Sequence, residues 1–284
     1  MFPDTYFKSR TLINKESKMI QKPISVQLYS LRERAEKDFV AVLKDVANMG
    51  YKGVEPAGLW NIRPSQFRKI VNDLGMDIYS SHSPWANPRN LGECMDTAAA
   101  LGLDTIVCGY GPKEFEDMDA IKRTAEQTSR MAQTLKENNF TLFQHNHAFE
   151  FERLDGRLKY DIYRELCPEV LFELDAYWSS NFGEEDPVAN MKMMADRTIF
   201  LHMKDGILRQ AKAEQTMVNG LLDRKIDLVP LGTGDMDIPG VIAAAPEQVR
   251  CIVVELDYCN IDMTEAIAKS YKYMTENGLA LGNK

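Results

Sequence analysis

The chain holds four histidines, His82, His145, His147 and His202, and each stands at the end of a short strand-like run or within three residues of one. Carboxylates keep them company. Glu55, Asp175 and Glu255 close or follow such runs, and Glu150 lies just beyond the run that ends at His145. Imidazoles gathered with carboxylates can do three things. They can hold a divalent cation, and this mixed nitrogen and oxygen set suits Mn²⁺, Mg²⁺, Co²⁺ or Zn²⁺ without selecting one. They can move protons as general acids and bases. They can also form a buried salt-bridge network with Lys204 or Arg32, because an unpaired carboxylate in an apolar strand end is costly. A lone histidine is most simply a hydrogen-bonded structural residue. Four of four at strand ends favours the cation.

Neighbouring residues extend the pattern. Alternate residues of a strand share a face, so Lys204 shares one with His202, and its ammonium can approach a substrate oxygen. His145 and His147 also share a face, so one can ligate while the other moves a proton. Tyr29, Trp60, Trp85, Tyr177 and Trp178 crowd the same rim. Aromatic walls with a few polar groups suit sugar rings and ordinary barrel packing alike.

These residues need a scaffold that collects strand ends. Short β-branched runs alternate with longer helical patterns. The spacing predicts strands at 24–29, 53–56, 77–81, 105–108, 141–145, 170–174, 198–202 and 251–255. Helices are predicted over about 37–48, 117–138 and 263–277. Met49-Gly50, Leu74-Gly75 and Leu101-Gly102 each read as a helix end, where glycine tolerates the left-handed conformation. Eight strands with interposed helices fit a single closed parallel (β/α)8 TIM barrel over residues 23–284, preceded by a polar extension at 1–22. In such barrels the reactive side chains gather at the carboxyl ends of the strands. No GxGxxG follows the first strand, so a dinucleotide fold has no support. Gly232-Thr233-Gly234 is too short to count as a phosphate motif. It lies in a long irregular stretch, 205–239, of the kind that is usually functional or disordered.

Bulk properties exclude several classes. The 284 residues carry a net charge of −8, which opposes nucleic acid, since phosphate binding rests on Lys and Arg. No apolar run reaches the length of a membrane span, and the first 22 residues lack the apolar centre of a secretory signal. Five widely spaced cysteines without a CxxC suit a reducing cytoplasm rather than a disulfide framework or a cysteine zinc cluster.

Six motifs give the chain a family likeness: Val26-Gln27-Leu28-Tyr29-Ser30-Leu31-Arg32, Gly50-Tyr51-Lys52-Gly53-Val54-Glu55, His145-Asn146-His147-Ala148-Phe149-Glu150-Phe151, Glu173-Leu174-Asp175-Ala176-Tyr177-Trp178, Leu201-His202-Met203-Lys204-Asp205 and Val254-Glu255-Leu256-Asp257. Over residues 23–280 the sequence resembles the xylose isomerase-like barrel superfamily of sugar (phosphate) isomerases and epimerases, which also contains inosose dehydratase. More narrowly it resembles a bacterial branch with the HNHxFEF motif, related to 3-keto-glycoside lyases.

The resemblance implies one divalent metal ion, held by an acid from strand five, an Asp from strand six, a His from strand seven and a Glu from strand eight. Asp175, His202 and Glu255 match the last three. Ketose 3-epimerases place a metal-binding Glu six residues before a second Glu, and a His three residues after the strand-six Asp. Here those positions hold Gln144, Glu150 and Trp178. Glu150 is therefore the expected fourth ligand, with His147 as the alternative. Glu150, Glu255, His147 and Lys204 are the expected catalytic groups. Tyr29, Glu55, His82, His145 and Trp178 are the expected substrate contacts. The implied activity is isomerisation or epimerisation of a keto-sugar by proton abstraction next to its carbonyl. The alternative is a lyase acting on an inosose or 3-keto-glycoside, and a weaker one is a non-catalytic carbohydrate-binding barrel. A homodimer is compatible with the resemblance.

Overall fold

The computed structural model describes residues 21–208 and 228–284, together with the backbone of 217–218 and 221–222. Most of the 1–22 extension and much of the long 205–239 stretch lie outside the described residues. Eight parallel strands form the barrel wall: β1 (Lys22–Gln27), β2 (Gly53–Glu55), β3 (Asp77–Ile78), β4 (Thr105–Cys108), β5 (Thr141–His145), β6 (Leu171–Asp175), β7 (Thr198–Met203) and β8 (Cys251–Val254). They pair in the order β3-β2-β1-β8-β7-β6-β5-β4. Among the described residues no ladder joins β3 to β4. The seam is bridged by residues beyond β3, where Ala86 N donates to Val107 O at 2.8 Å. The third strand is thus shorter than its sequence predicts, and the wall is closed in part by irregular chain. Ser80 leaves the ladder and spends its hydroxyl on Glu55.

Helices cover the outside: α1 (Arg32–Met49), α2 (Pro64–Asp73), α3 (Leu91–Leu101), α4 (Met118–Glu137), α5 (Lys159–Leu166), α6 (Ala176–Ser179), α7 (Pro187–Met194), α8 (Ile238–Ala244) and α9 (Met263–Glu276). The amphipathic pattern explains α4. Ile121, Ala125, Thr128, Met131, Ala132 and Leu135 recur at helical spacing and are buried, each large apolar side chain contributing about 1.5–3 kcal/mol. Asp117 caps it by accepting from Ala120 N at 2.7 Å. Helix α1 starts earlier than its pattern, but Asp38 breaks it with extended dihedrals (φ −154°, ψ 90°) and accepts from Ala41 N at 2.9 Å. The regular turn therefore begins where the periodicity does. Gly50 and Gly102 end their helices at φ 107° and 80°, as the Met-Gly and Leu-Gly pairs predict. No helix among the described residues is long and apolar enough to cross a membrane.

The strands divide into two faces. Ile252, Val254, Phe172, Leu174, Leu142 and Leu201 pack outward under the helices. Cys251, Val253, Phe143, Val107 and Phe200 fill the barrel interior, with Leu171 against them. Two residues further along each inner face the chemistry changes. Val253 is followed by Glu255, Phe143 by His145, Leu171 by Glu173 and Asp175, and Phe200 by His202 and Lys204. The parallel register sets His145 beside Glu173 and Asp175 beside His202. The fold thus plugs the barrel with apolar side chains and stacks ionisable ones above the plug.

Candidate active site

The ionisable groups form two tiers. In the upper tier Lys204 Nζ lies 2.5 Å from both Asp175 Oδ2 and Glu255 Oε2 and 3.6 Å from Asp257 Oδ2. Asp175 Oδ1 accepts from Trp178 N at 2.9 Å and so caps α6. His202 joins the tiers. Its Nδ1 lies 2.8 Å from Glu255 Oε2 and its Nε2 lies 2.8 Å from Glu55 Oε1. In the lower tier Glu173 Oε2 meets His82 Nε2 at 2.5 Å and His145 Nδ1 at 3.1 Å. Glu55 accepts from Gln27 Nε2 at 2.5 Å and from the Ser80 hydroxyl. All of these groups except Asp257 are at most 8% exposed, so their charges interact with little screening from water.

Burial and neighbours set the protonation states. Burial opposes the Lys204 ammonium, but Asp175, Asp257 and Glu255 hold its pKa well above the ordinary value. Burial would raise Glu255, but Lys204 and His202 keep it well below the carboxylate range. Glu173 is likewise held low against burial by His202 and His82, and these carboxylates keep His202 well above a free imidazole. Burial lowers His147 to about 4, helped by Lys204, so this ring is neutral at pH 7. Its Nδ1 is buried without a hydrogen-bond partner. Burial lifts Asp257 to about 6. Five carboxyl groups, Glu55, Glu173, Asp175, Glu255 and Asp257, face one ammonium. The remaining charge is met by imidazolium rings, by a cation or by protonation of a carboxyl, and burial raises Glu55, Asp175 and Asp257 toward the neutral form.

Two buried groups have donor atoms close enough together to hold a metal ion. One comprises His145, Asp175, His202 and Glu255, the other His82, His145, Glu173 and His202, and within each the ligand atoms lie within 4.8 Å of one another. The first brings together three of the expected ligands, with His145 as the fourth. Glu150 belongs to neither. Its Oε2 accepts from His147 N at 3.0 Å, and Gln144 Nε2 lies 3.5 Å from its Oε1. Burial raises its pKa well above the ordinary range, and its hydrogen bond to the His147 amide fixes that segment. Trp178 is buried with its ring 5.4 Å from Lys204 Nζ. Glu55, His82 and His145 are enclosed in the lower tier. Tyr29 sits higher at the rim under the Arg32 guanidinium, 4.1 Å from the ring centre. Beside Arg32 a cavity of about 450 Å³ is lined by Ser30, Arg32, Asp257 and Asn260, among others.

Three residues escaped the sequence reading. Glu173 carries the lower tier, and its signal was its place two residues before Asp175, on the same strand face. Asn146 turns to the face opposite its flanking histidines and locks β6. It accepts from Asp175 N at 2.9 Å, and its Nδ2 donates to Asp175 O at 3.2 Å. Asp205 accepts from four backbone amides, those of Gly206, Gly232, Gly234 and Met236, at 2.9–3.1 Å. A Cβ on Gly234 would overlap that carboxylate. The Gly-Thr-Gly segment is therefore an anion cradle filled by the protein's own side chain.

A parallel barrel with buried histidines and acids at the carboxyl ends of its strands is the arrangement of a (β/α)-barrel enzyme. The chain matches the xylose isomerase-like TIM barrel family over residues 43–276 and belongs to it. Among solved structures it is similar to a sugar phosphate isomerase/epimerase from Parabacteroides distasonis, at 22% identity and TM-score 0.67, covering 93% of this chain and 97% of that one. It is also similar to a probable 3-DHS dehydratase from Bacillus anthracis (15%, TM-score 0.66, 89% and 98% covered) and to an L-ribulose 3-epimerase (15%, TM-score 0.63, 91% and 94%). No curated protein sequence matches the chain.

Proposed function

We propose that this protein is a divalent-metal-dependent sugar isomerase or epimerase that removes a proton next to the carbonyl of a keto-sugar or cyclic polyol ketone. The observation that carries this reading is the convergence of His145, Asp175, His202 and Glu255 in one buried group beside a neutral imidazole, His147, with an unpartnered ring nitrogen. The donor set fits the cation. Two imidazoles and two carboxylates suit Mn²⁺, Co²⁺ or Zn²⁺ better than Mg²⁺, which prefers oxygen. When bound, such an ion supplies Lewis acidity toward a carbonyl oxygen.

The chain's own groups do the rest. His147 is the free base on the inner face, and Glu150 holds its backbone amide in place. Lys204 presents a charged donor that can stabilise a developing oxyanion. Arg32, Asp257 and Asn260 line a cavity where the remaining hydroxyl groups of a sugar would lie, and Tyr29 sits under Arg32. Return of the proton to the opposite face of the same carbon gives epimerisation, and its return to the former carbonyl carbon, as the neighbouring hydroxyl gives up its proton and becomes the new carbonyl, gives isomerisation. A lyase is the second reading. Gln144 and Trp178 stand where the epimerase pattern has Glu and His, and loss of a β-substituent from the same carbanion would give dehydration or elimination.

The test is incubation in D₂O with Mn²⁺ and a panel of free ketoses, inosose and 3-keto-glycosides. Carbon-bound deuterium in recovered ketose, together with an epimer or aldose, is the expected result. Elimination products would select the lyase. Neither exchange nor product across the panel would overturn the proton-abstraction reading.

A further inference from the structure

The lower tier looks unlike a structural salt-bridge network. Three imidazole rings surround one carboxylate. His82 lies 4.7 Å from His145 and 5.1 Å from His202, and His145 lies 4.7 Å from His202, centre to centre. Their nitrogens approach Glu173 at 2.5, 3.1 and 3.3 Å. A tetrahedral shell with ligands at about 2.1 Å has edges of roughly 3.4 Å, and the four candidate donor atoms lie within 4.8 Å of one another, so small side-chain shifts would let them converge on one ion. Glu173 Oε1 is buried and lies 3.3 Å from His202 Nε2 without the alignment of a hydrogen bond. Glu55 approaches the same nitrogens, His202 Nε2 at 2.8 Å and His82 Nε2 at 3.3 Å, and is held by Gln27 and Ser80, while the opposite nitrogen of His202, Nδ1, meets Glu255 Oε2 at 2.8 Å. Ligating histidines commonly have a carboxylate in this orienting position.

The upper tier differs in one respect. An ammonium already bridges Asp175 and Glu255, 2.5 Å from an oxygen of each. A cation entering there must displace Lys204 from at least part of that bridge, whereas among the described residues no lysine or arginine pairs with Glu173 or Glu55.

We propose that His82, His145, His202 and Glu173 form a second, deeper seat for a first-row transition-metal ion, filled while Lys204 bridges Asp175 and Glu255. Three imidazoles favour Zn²⁺, Co²⁺ or Mn²⁺ over Mg²⁺ and Ca²⁺. His145 and His202 belong to both groups, so the two seats are filled one at a time. The inference goes beyond the preceding reading and does not need the proposed reaction. His82 and Glu173 have no part in the upper group.

Two measurements test it. Crystals of the unaltered protein soaked in Co²⁺ or Mn²⁺ should give an anomalous difference peak among His82, His145, His202 and Glu173. A peak only between Asp175 and Glu255 would overturn the inference while leaving the proposed function intact. No peak at either place would overturn both cation assignments. In solution, titration with Co²⁺ followed by its d–d absorption should show affinity falling at least about 100-fold in Glu173→Gln and His82→Asn. It should fall far less in Asp175→Asn than in Glu173→Gln, and Mg²⁺ should not compete. The reverse pattern, with Asp175→Asn abolishing binding and Glu173→Gln neutral, would place the ion in the upper group and sink the proposal.

Discussion

In the upper tier of the barrel Asp175 and Glu255 meet a lysine, and in the lower tier Glu55 and Glu173 meet imidazoles and neutral donors. The apolar plug beneath them is common to both, and so is near-complete exclusion of water. What differs is the kind of cation. An ammonium brings a fixed charge on a flexible stem. An imidazole nitrogen can carry a proton or release it and ligate a metal. The upper tier therefore holds a fixed positive charge of the chain's own, and the positive charge of the lower tier depends on what occupies its nitrogens.

Removing Lys204 should have the largest effect. Lys204→Met leaves two buried carboxylates without their ammonium, and loss of one partner from a buried pair costs about 3–5 kcal/mol. Urea denaturation should show that loss, and added Mn²⁺ should restore more stability to the variant than to the parent protein. A loss under about 1 kcal/mol would mean that water reaches the upper tier, and the contrast would fail. Glu55→Gln should cost less, about 1.5–3 kcal/mol, since it removes charge-assisted hydrogen bonds but keeps the shape. The same denaturation experiment reads it. An unchanged midpoint would show that the lower tier is neutral and needs no carboxylate there.

Asp205 offers a third kind of balance, in which backbone amides alone meet the charge. Asp205→Asn should cost about 1–2 kcal/mol, because one amide oxygen still accepts. Hydrogen exchange should quicken at Gly232, Gly234 and Met236 while the barrel strands stay protected. Asn146→Ala should have the smallest effect on stability, about 1 kcal/mol, yet it frees the backbone of Asp175. Deuterium incorporation into substrate should fall by more than that figure predicts. Equal losses in stability and rate would make Asn146 a plain structural link.

The parts of this arrangement that were legible in the sequence are those that a strand end declares locally. His202, Asp175 and Glu255 each break an apolar run, and the β-branched runs with glycine-ended helices fixed the barrel reading. Glu173 was harder. It stands inside its run, where an acid reads as alternation unless the interior of the barrel is already known to turn polar at that height. The motif position of Glu150 makes it a candidate ligand. The chain there forms a short 3-10 turn, Phe149–Phe151, which brings the carboxylate back to the His147 amide. The Asp205 cradle was out of reach for a different reason. Its two halves are 27 residues apart, and Gly-Thr-Gly alone does not say whose anion it holds. The shortness of β3 was equally hidden, because Ser80 and His82 respond to groups on other strands.

The gap between β3 and β4 bears on more than topology. A fully laddered barrel behaves as a hoop whose circumference is set by its hydrogen bonds. This one is a hoop with a clasp, fastened by Ala86 on Val107 and by the Trp85 ring lying against Gly109. His82 is attached to the clasp, whereas Glu173, His145 and His202 belong to the laddered wall. Any widening of the hoop will therefore change the distance from His82 to the other three before it disturbs their distances to one another.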